Sequence, residues 1–374
     1  MKLGFFSDPH LGISRLSHAT VRSSMAFRQF VFKRTLEVIE ALKHNGAKKI
    51  ICGGDLFDTY TNDEAVIAQG WTVLMHCWKA LAGNHDVVNR TDKIGSLQLL
   101  NKFSHHLFDE EDLPVVVSPD PSKPDYRVAS PDSSSELVFA PHCLTQSIFE
   151  QSVEMACEFA EKGKGARNIY LVLHCNVGVP GEAYNVVDPN GTSLYFTEAM
   201  QERALSVYTR IFVGHEHPPR MLHNDRLIVM GNVFPVTFGE LSDRFVYVLD
   251  TATDTLQTIE TLQVADMYQE LRVEDVLDGL APMQGAPFIE IKGRLEAKRH
   301  AELAKAIANL WKQVDENLTF FIKNSVEVIK AGAAKVEEVE FIPRTLPEVI
   351  GDSIANTPHK PAYDEAVTAL AAKE

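Results

Sequence analysis

Apolar residues along the first part of the chain come in short blocks separated by segments of helical period. Leu3 to Phe6 is a short apolar run that reads as a buried strand. Between Phe27 and Leu42, the residues Phe27, Val31, Val38 and Leu42 share one helical face, and Asn45-Gly46 stops the helix. Residues 48–52 predict a second strand, 62–75 a second helix weakened by Gly70, and 77–82 a third strand. Strand, helix, strand, helix is the order of an α/β sheet, in which functional groups gather at the strand C-termini.

From about Asp112 to His142 the pattern changes to short strands, 115–117 and 137–139, around Pro- and Ser-rich turns. Residues 145–162 predict an amphipathic helix with Ile148, Val153, Met155 and Phe159 as its apolar positions. A strand over 168–173 comes next, then a Gly-, Pro- and Asn-rich loop over 176–196 and hairpin-like strands over 227–230 and 245–249. Beyond Asp266 a β-α-β pattern occupies 287–295, 297–314 and 318–329. Ile342-Pro343-Arg344 opens a tail. One helical face there carries Leu346, Ile350 and Ile354, and a second, beyond Pro358 and Pro361, carries Tyr363, Val367 and Leu370. These shifts divide the chain into 1–264, 265–342 and 343–374.

Five hydrophobic runs end in residue types that bind metals. They are Leu3–Phe6 before Asp8-Pro9-His10, 50–52 before Gly53-Gly54-Asp55, 80–82 before Gly83-Asn84-His85-Asp86, 170–173 before His174, and 211–213 before Gly214-His215-Glu216-His217. Two neighbouring divalent cations need a bridging carboxylate to offset their repulsion, plus neutral imidazoles and amides to complete each shell. Asp55 is the candidate bridge, Asn84 a candidate amide oxygen, and His174, His215 and His217 candidate nitrogens. Asp8-x-His10 and His215-x-His217 each place both side chains on one side of an extended segment. His85 comes directly after a ligand, so it points elsewhere and is placed to protonate a leaving alkoxide, with Asp86 as candidate orienter.

Composition narrows the setting. The chain has 374 residues, 45% of them hydrophobic, and no apolar run long enough to span a membrane. The N-terminal run is too short for a secretion signal. Five cysteines without framework spacing read as reduced, buried thiols, which favours a cytoplasmic setting, and the compact size points to a bacterial cell or phage-infected host. The formal net charge of -15 counts against a general polyanion-binding surface. It conceals a local exception: between Asp8 and Glu37 no acidic residue occurs, while Arg15, Arg22, Arg28, Lys33 and Arg34 do. Arg15 and Arg22 are the candidates for phosphate-backbone contact beside the metals. In the 185–196 loop, Tyr195 and Phe196, with the preceding Tyr184, could stack on bases or pack the loop down.

Taken in order, Asp8-x-His10, Gly54-Asp55, Gly83-Asn84-His85-Asp86, His174 and Gly214-His215-x-His217 resemble the calcineurin-like metallophosphoesterase signature. Within that superfamily, Asp8-Pro9-His10-Leu11-Gly12 and Gly54-Asp55-Leu56-Phe57-Asp58 resemble the SbcD nucleases. Protein phosphatases of the superfamily carry an arginine soon after Gly-Asp; here that place is taken by Leu56-Phe57-Asp58-Thr59. Pro9 departs from the usual residue type without removing a ligand.

The resemblance implies a helix-flanked β-sandwich with a small α+β capping domain over 265–342 and a helical tail. It assigns one metal to Asp8, His10, Asp55 and His217, the other to Asp55, Asn84, His174 and His215, and makes His85 the catalytic histidine. The ions would be manganese, with magnesium as the alternative. The implied activity is metal-dependent cleavage of DNA in repair, recombination or replication. The alternative is hydrolysis of small phosphodiesters or phosphoproteins. The implied partner is an SbcC-like coiled-coil ATPase, docked on Tyr363, Val367 and Leu370 as i, i+4, i+7 anchors. A homodimer formed through early helices of the first domain is also implied.

Overall fold

β1 (Lys2–Phe6), β2 (Lys49–Cys52), β3 (Lys79–Leu81) and β4 (Val115–Val116) run parallel as neighbours in one sheet of the computed structural model. The structure describes residues 1–87, 94–109, 112–118, 120–163, 168–178, 194–281 and 285–329. The connections are α1 (Val21–His44), α2 (Glu64–Leu74) and α3 (Ser96–Ser104). The second sheet is built from β5 (Arg127–Asp132), β6 (Ser135–Phe139), β7 (Asn168–His174), β10 (Arg210–Gly214), β11 (Arg220–Leu222) and β12 (Leu227–Val229), crossed by α4 (Gln146–Gly163) and α5 (Glu198–Leu205). A small pair, β8 (Asn176–Val177) and β9 (Tyr195–Phe196), lies between β7 and α5 in the chain. β13 (Arg244–Asp250) and β14 (Thr255–Leu262) return to complete the first sheet, in the order β14-β13-β1-β2-β3-β4.

The two sheets pack face to face. Leu3, Phe5, Ile51 and Leu81 of the first meet Leu137, Phe139, Tyr170, Val172, Phe212 and Ile228 of the second. Phe5 stacks on Phe212 with ring centroids 3.9 Å apart. Truncating either ring to alanine would cost about 3–5 kcal/mol. α1, α2 and α3 cover the outer face of the first sheet, α4 and α5 that of the second. Strands buried on both faces read as continuous apolar runs, which is why β1, β2, β7 and β10 stand out in the sequence.

α1 is longer than its periodic core: Thr20 caps it, exchanging hydrogen bonds with Ser23. α2 tolerates Gly70 because any larger side chain there would strike the ring of Phe57. One expectation needs correcting. The buried face of α4 is Phe149, Val153, Ala156, Cys157 and Ala160, while Met155 is exposed. The strands over 227–230 and 245–249 are hairpin arms as expected: β12 pairs antiparallel with β11 and β13 with β14, while β10 flanks β12 and β1 flanks β13 on the other side.

Past Asp266, β15 (Tyr268–Arg272), α6 (Val273–Leu277), β16 (Phe288–Glu296), α7 (His300–Leu310) and β17 (Phe321–Ile329) form a three-stranded sheet with helices. Leu271, Val273, Ile289, Ile291, Leu303 and Ile322 make its own apolar cluster. Phe288, Phe320 and Phe321 gather around Phe27 of α1, and Phe288 also stacks with Phe234, so this region shares a core with the first sheet's helix layer. Met1–Leu295 and Arg299–Glu327 belong to one compact unit. The expected tail, with Tyr363, Val367 and Leu370, lies outside the described residues. No described helix is long and apolar enough to cross a membrane.

Candidate metal centre

All five ligand-bearing strands end at one edge of the sandwich. β1, β2 and β3 deliver Asp8 and His10, Asp55, and Asn84 with His85; β7 and β10 deliver His174 and His215 with His217. The loops are stitched by backbone hydrogen bonds: Asp8 donates to Gly54, His10 to Asp55 and Leu11 to Leu56. Asp8, His10, Asp55 and His215 all have positive φ (53°, 46°, 48° and 93°). Such backbone costs about 1–3 kcal/mol each and persists only where surroundings impose it, typically at functional sites. Gly54, at φ 123°, lies against the His174 ring, where any Cβ would collide.

Three candidate ligand clusters result among the described residues, one of them, His10 with Asp58 and His85, sharing His10 with the first of the two that face each other across the site. Asp8, His10 and His217 form one and Asp55, His174 and His215 the other, with ligand atoms in each within 4.8 Å of one another. His10 Nε2 and His217 Nε2 are 3.2 Å apart. Asn84 Oδ1 is 3.1 Å from His174 Nε2 and 2.9 Å from His215 Nδ1. Asp55 Oδ2 stands between the clusters, 3.2 Å from His174 Nε2 and 3.9 Å from His10 Nε2. The other Asp55 oxygen accepts from the His85 backbone N–H at 2.9 Å. Asp8 accepts the His215 N–H on both oxygens at 3.0 Å.

The electrostatics are those of a buried anionic site. Burial works against ionising Asp55, but His174 and His10 hold its carboxyl well below the usual range. Burial likewise works against charging His174, yet Asp55 and Asp8 lift it to about 9. His215, without such a partner at its ring, is pushed down by burial to about 4. Carboxylates here stay ionised only by drawing positive charge to themselves.

These residues fit divalent cations. His10 Nε2 and His217 Nε2 converge at 3.2 Å, where at most one of the two can donate to the other. His10 Nδ1 is 3.4 Å from Asp58 Oδ1, outside hydrogen-bond geometry, and has no other partner. Carboxylate, amide and imidazole donors together suit first-row divalent ions.

A family model for calcineurin-like phosphoesterases matches residues 1–219, which contain every strand end described above. The chain belongs to that family. Solved structures similar to this phosphoesterase include an archaeal phosphodiesterase (15% identical, TM-score 0.34, covering 70% of this chain and 100% of that one). A dimetal phosphatase from Danio rerio is 10% identical, with TM-score 0.43 and 70% and 95% coverage. A metallophosphoesterase from Sphaerobacter thermophilus is 12% identical, with TM-score 0.33 and 71% and 91% coverage. A search of curated proteins found no match.

The phosphoesterase site holds His85 differently from the expectation. Asp86 does not orient the ring. It is buried and accepts the N–H groups of Leu56, Phe57 and Gly83, each at 3.1 Å, so it braces the loop after β2 against the loop after β3. The ring is held instead by the Asp58 carbonyl, 2.5 Å from His85 Nδ1. His85 Nε2 then lies 4.0 Å from Asp55 Oδ2, and the side chain is 39% exposed.

Two further groups escaped the sequence reading. Asp58 links His10, His85 and Arg15, and Glu240 accepts from His217 Nδ1 at 3.1 Å. Glu240 is brought to about 2: burial opposes its ionisation, but the His217 hydrogen bond and charge outweigh it.

The basic run splits. Arg28 pairs with Asp63, and Lys33 and Arg34 pair with Glu37, all along the helix side. Arg15 stays at the site, 3.7 Å from Asp58 and 44% exposed, and Arg22 is exposed in the first turn of α1. Tyr195 is half-buried, its backbone clamped on both sides by the Gln146 amide. Phe196 is fully buried under α4 and α5, so it packs the core and cannot stack on a base. Tyr184 lies outside the described residues.

Proposed function

We propose that this phosphoesterase is a dimetal-dependent DNA nuclease subunit, using manganese or magnesium, and working in repair, recombination or replication. Asp8, His10 and His217 would hold one cation, Asn84, His174 and His215 the other, and Asp55 would be shared. When bound, such ions clamp a phosphate, lower the pKa of a water and offset the charge of the transition state. The remaining chemistry falls to the chain's own side chains. His85, with Nδ1–H committed to the Asp58 carbonyl, turns Nε2 towards the site, where the imidazolium form would give its Nε2 proton to the leaving alkoxide and be left as the neutral ring. Arg15 and Arg22 would hold backbone phosphates on either side of the scissile one, and the exposed part of Tyr195 would offer a stacking surface.

The DNA reading is carried by the residues directly behind the ligands. After Asp55 come buried Leu56 and Phe57 and then Asp58, in place of the arginine that would hold a phosphate monoester. The cation that does approach, Arg15, comes from the acid-free run behind His10 and is half exposed at the rim. That arrangement favours a substrate extending beyond the metals. The acidity of the rest of the chain supports a division of labour, with a coiled-coil ATPase partner docked on Tyr363, Val367 and Leu370 and a homodimeric assembly carrying part of the DNA contact.

The test is purified protein with manganese, offered linear duplex DNA, a single-stranded circle and a chromogenic small phosphodiester. Cleavage of DNA is expected. Cleavage of the small ester alone would replace the nuclease reading with that of a small-molecule phosphodiesterase.

A further inference from the structure

We propose that Glu240 is a positioning residue for the metal centre: it holds His217 in the tautomer whose Nε2 lone pair faces the cations. The inference rests on the metal-centre reading above, not on the substrate. A carboxylate can only accept, so at 3.1 Å from Glu240 Oε1 it is His217 Nδ1 that carries the proton. In the neutral ring, the form that binds a cation, His217 Nε2 is thereby the lone pair, and it is this atom that faces His10 Nε2 at 3.2 Å. A histidine ligand whose second nitrogen is fixed by a carboxylate is the arrangement that orients the ring and raises its basicity.

Glu240 is held unusually firmly for a residue in the loop between β12 and β13. Oε1 also accepts from Thr237 Oγ1 at 2.9 Å. Oε2 accepts from Asn232 Nδ2 at 3.0 Å, the Val236 N–H at 3.3 Å and Arg244 Nη2 at 3.1 Å. Arg244 is a fully buried guanidinium, and its remaining contacts, to Ser242 and the Glu240 carbonyl, pin it in place. A buried arginine without its carboxylate would be strongly destabilising, so the pair is either a fold brace or a device aimed at His217. Aim is indicated by the second fastening: the Asn232 N–H donates to the His217 carbonyl at 3.2 Å while its side chain holds Glu240. The loop thus fixes both the backbone and the ring of one ligand.

Glu240→Gln separates the two roles. With its amide oxygen towards His217, its NH2 would confront three donors. Turned over, the NH2 would donate to His217 Nδ1 and move the ring proton to Nε2. Full-length protein with 15N-labelled histidine reports the tautomer directly. The Nδ1–H form is expected for the wild type and its loss for Glu240→Gln. Manganese titration followed by electron paramagnetic resonance should show one of two sites weakened by about 10–100-fold, the other unchanged, and the coupled-pair signal displaced to higher manganese. A folded variant with the wild-type tautomer and two wild-type manganese affinities would overturn the proposal and leave Glu240 a fold brace. Should Glu240→Gln not fold, Glu240→Asp keeps the charge for Arg244 but withdraws it from His217, and the same loss at one site is expected; wild-type binding would again overturn the proposal. No readout involves DNA, so a wild type that binds manganese without cutting DNA would count against the nuclease reading alone.

Discussion

His85 Nδ1 lies 2.5 Å from the carbonyl oxygen of Asp58, a contact that leaves Nε2 on the metal-centre side; the ring groups with His10 and Asp58 and belongs to neither the Asp8 nor the Asp55 cluster. His85→Ser should therefore keep both manganese affinities and lose cleavage, by about the 10²–10⁴-fold that a positioned general acid supplies. Isothermal titration and single-turnover cleavage check the two halves separately. Unchanged turnover would remove His85 from the chemistry.

The tail offers a second separation. If the proposed reading holds, deleting residues 345–374 should abolish co-purification of the proposed ATPase partner and leave the proposed manganese-dependent nuclease activity in place. Retained binding would dissociate Tyr363, Val367 and Leu370 from docking, and loss of manganese binding would tie the tail to the metal centre.

Asp132 sets part of the acid sensitivity. Burial works against its charge, but the hydroxyls of Ser134, Thr251 and Ser135 and the Ser134 N–H hold its carboxyl well below the usual range. A carboxyl depressed in the folded state stabilises above its ordinary pKa, and that contribution fades as pH falls towards the folded value. Asp132→Asn should cost about 1–3 kcal/mol near neutrality. The gap from wild type in urea denaturation should stay constant above about pH 5 and narrow as pH falls below about 4. A gap independent of pH would show that the charge is not what these donors stabilise.

The cysteines should be inert in the folded protein. Cys52, Cys77, Cys143, Cys157 and Cys175 are all buried and free, and burial pushes the thiols of Cys77, Cys143 and Cys157 up to about 12. Ellman's reagent at about pH 8 should react slowly with native protein and reach five thiols only after denaturation. Fast native labelling would contradict the packing of the core around them.

Much of this was legible in the sequence because the fold displays its function at strand ends. A strand buried on both faces is an uninterrupted apolar run, so Leu3–Phe6, 50–52, 170–173 and 211–213 announce themselves, and the ligand types after them are unlike any turn chosen for its backbone alone. What was illegible depended on partners distant in the chain. β14, Thr-Leu-Gln-Thr-Ile-Glu-Thr-Leu, is a half-exposed edge strand whose alternation is too polar to read as core. β5 contains Pro131 at an edge, where a missing N–H is tolerated. Asp86 looked like an orienter because it adjoins His85, yet consecutive residues after β3 face different ways, and its side chain turned to Leu56 and Phe57 instead. Glu240 comes after Phe238-Gly239 like any solvated loop acid. Its meaning lies in His217, 23 residues earlier, and in Arg244 burying itself beside it. Met155 misled because it sits among apolar residues, whereas the small Ala156 and Ala160 face the sheet.

The most direct test of the metal centre is anomalous diffraction at the manganese edge from crystals equilibrated with manganese. Two peaks are expected, one among Asp8, His10 and His217 and one among Asn84, His174 and His215, with Asp55 between them. A single peak, or peaks away from these five strand ends, would contradict a shared dimetal site and with it the proposed hydrolysis.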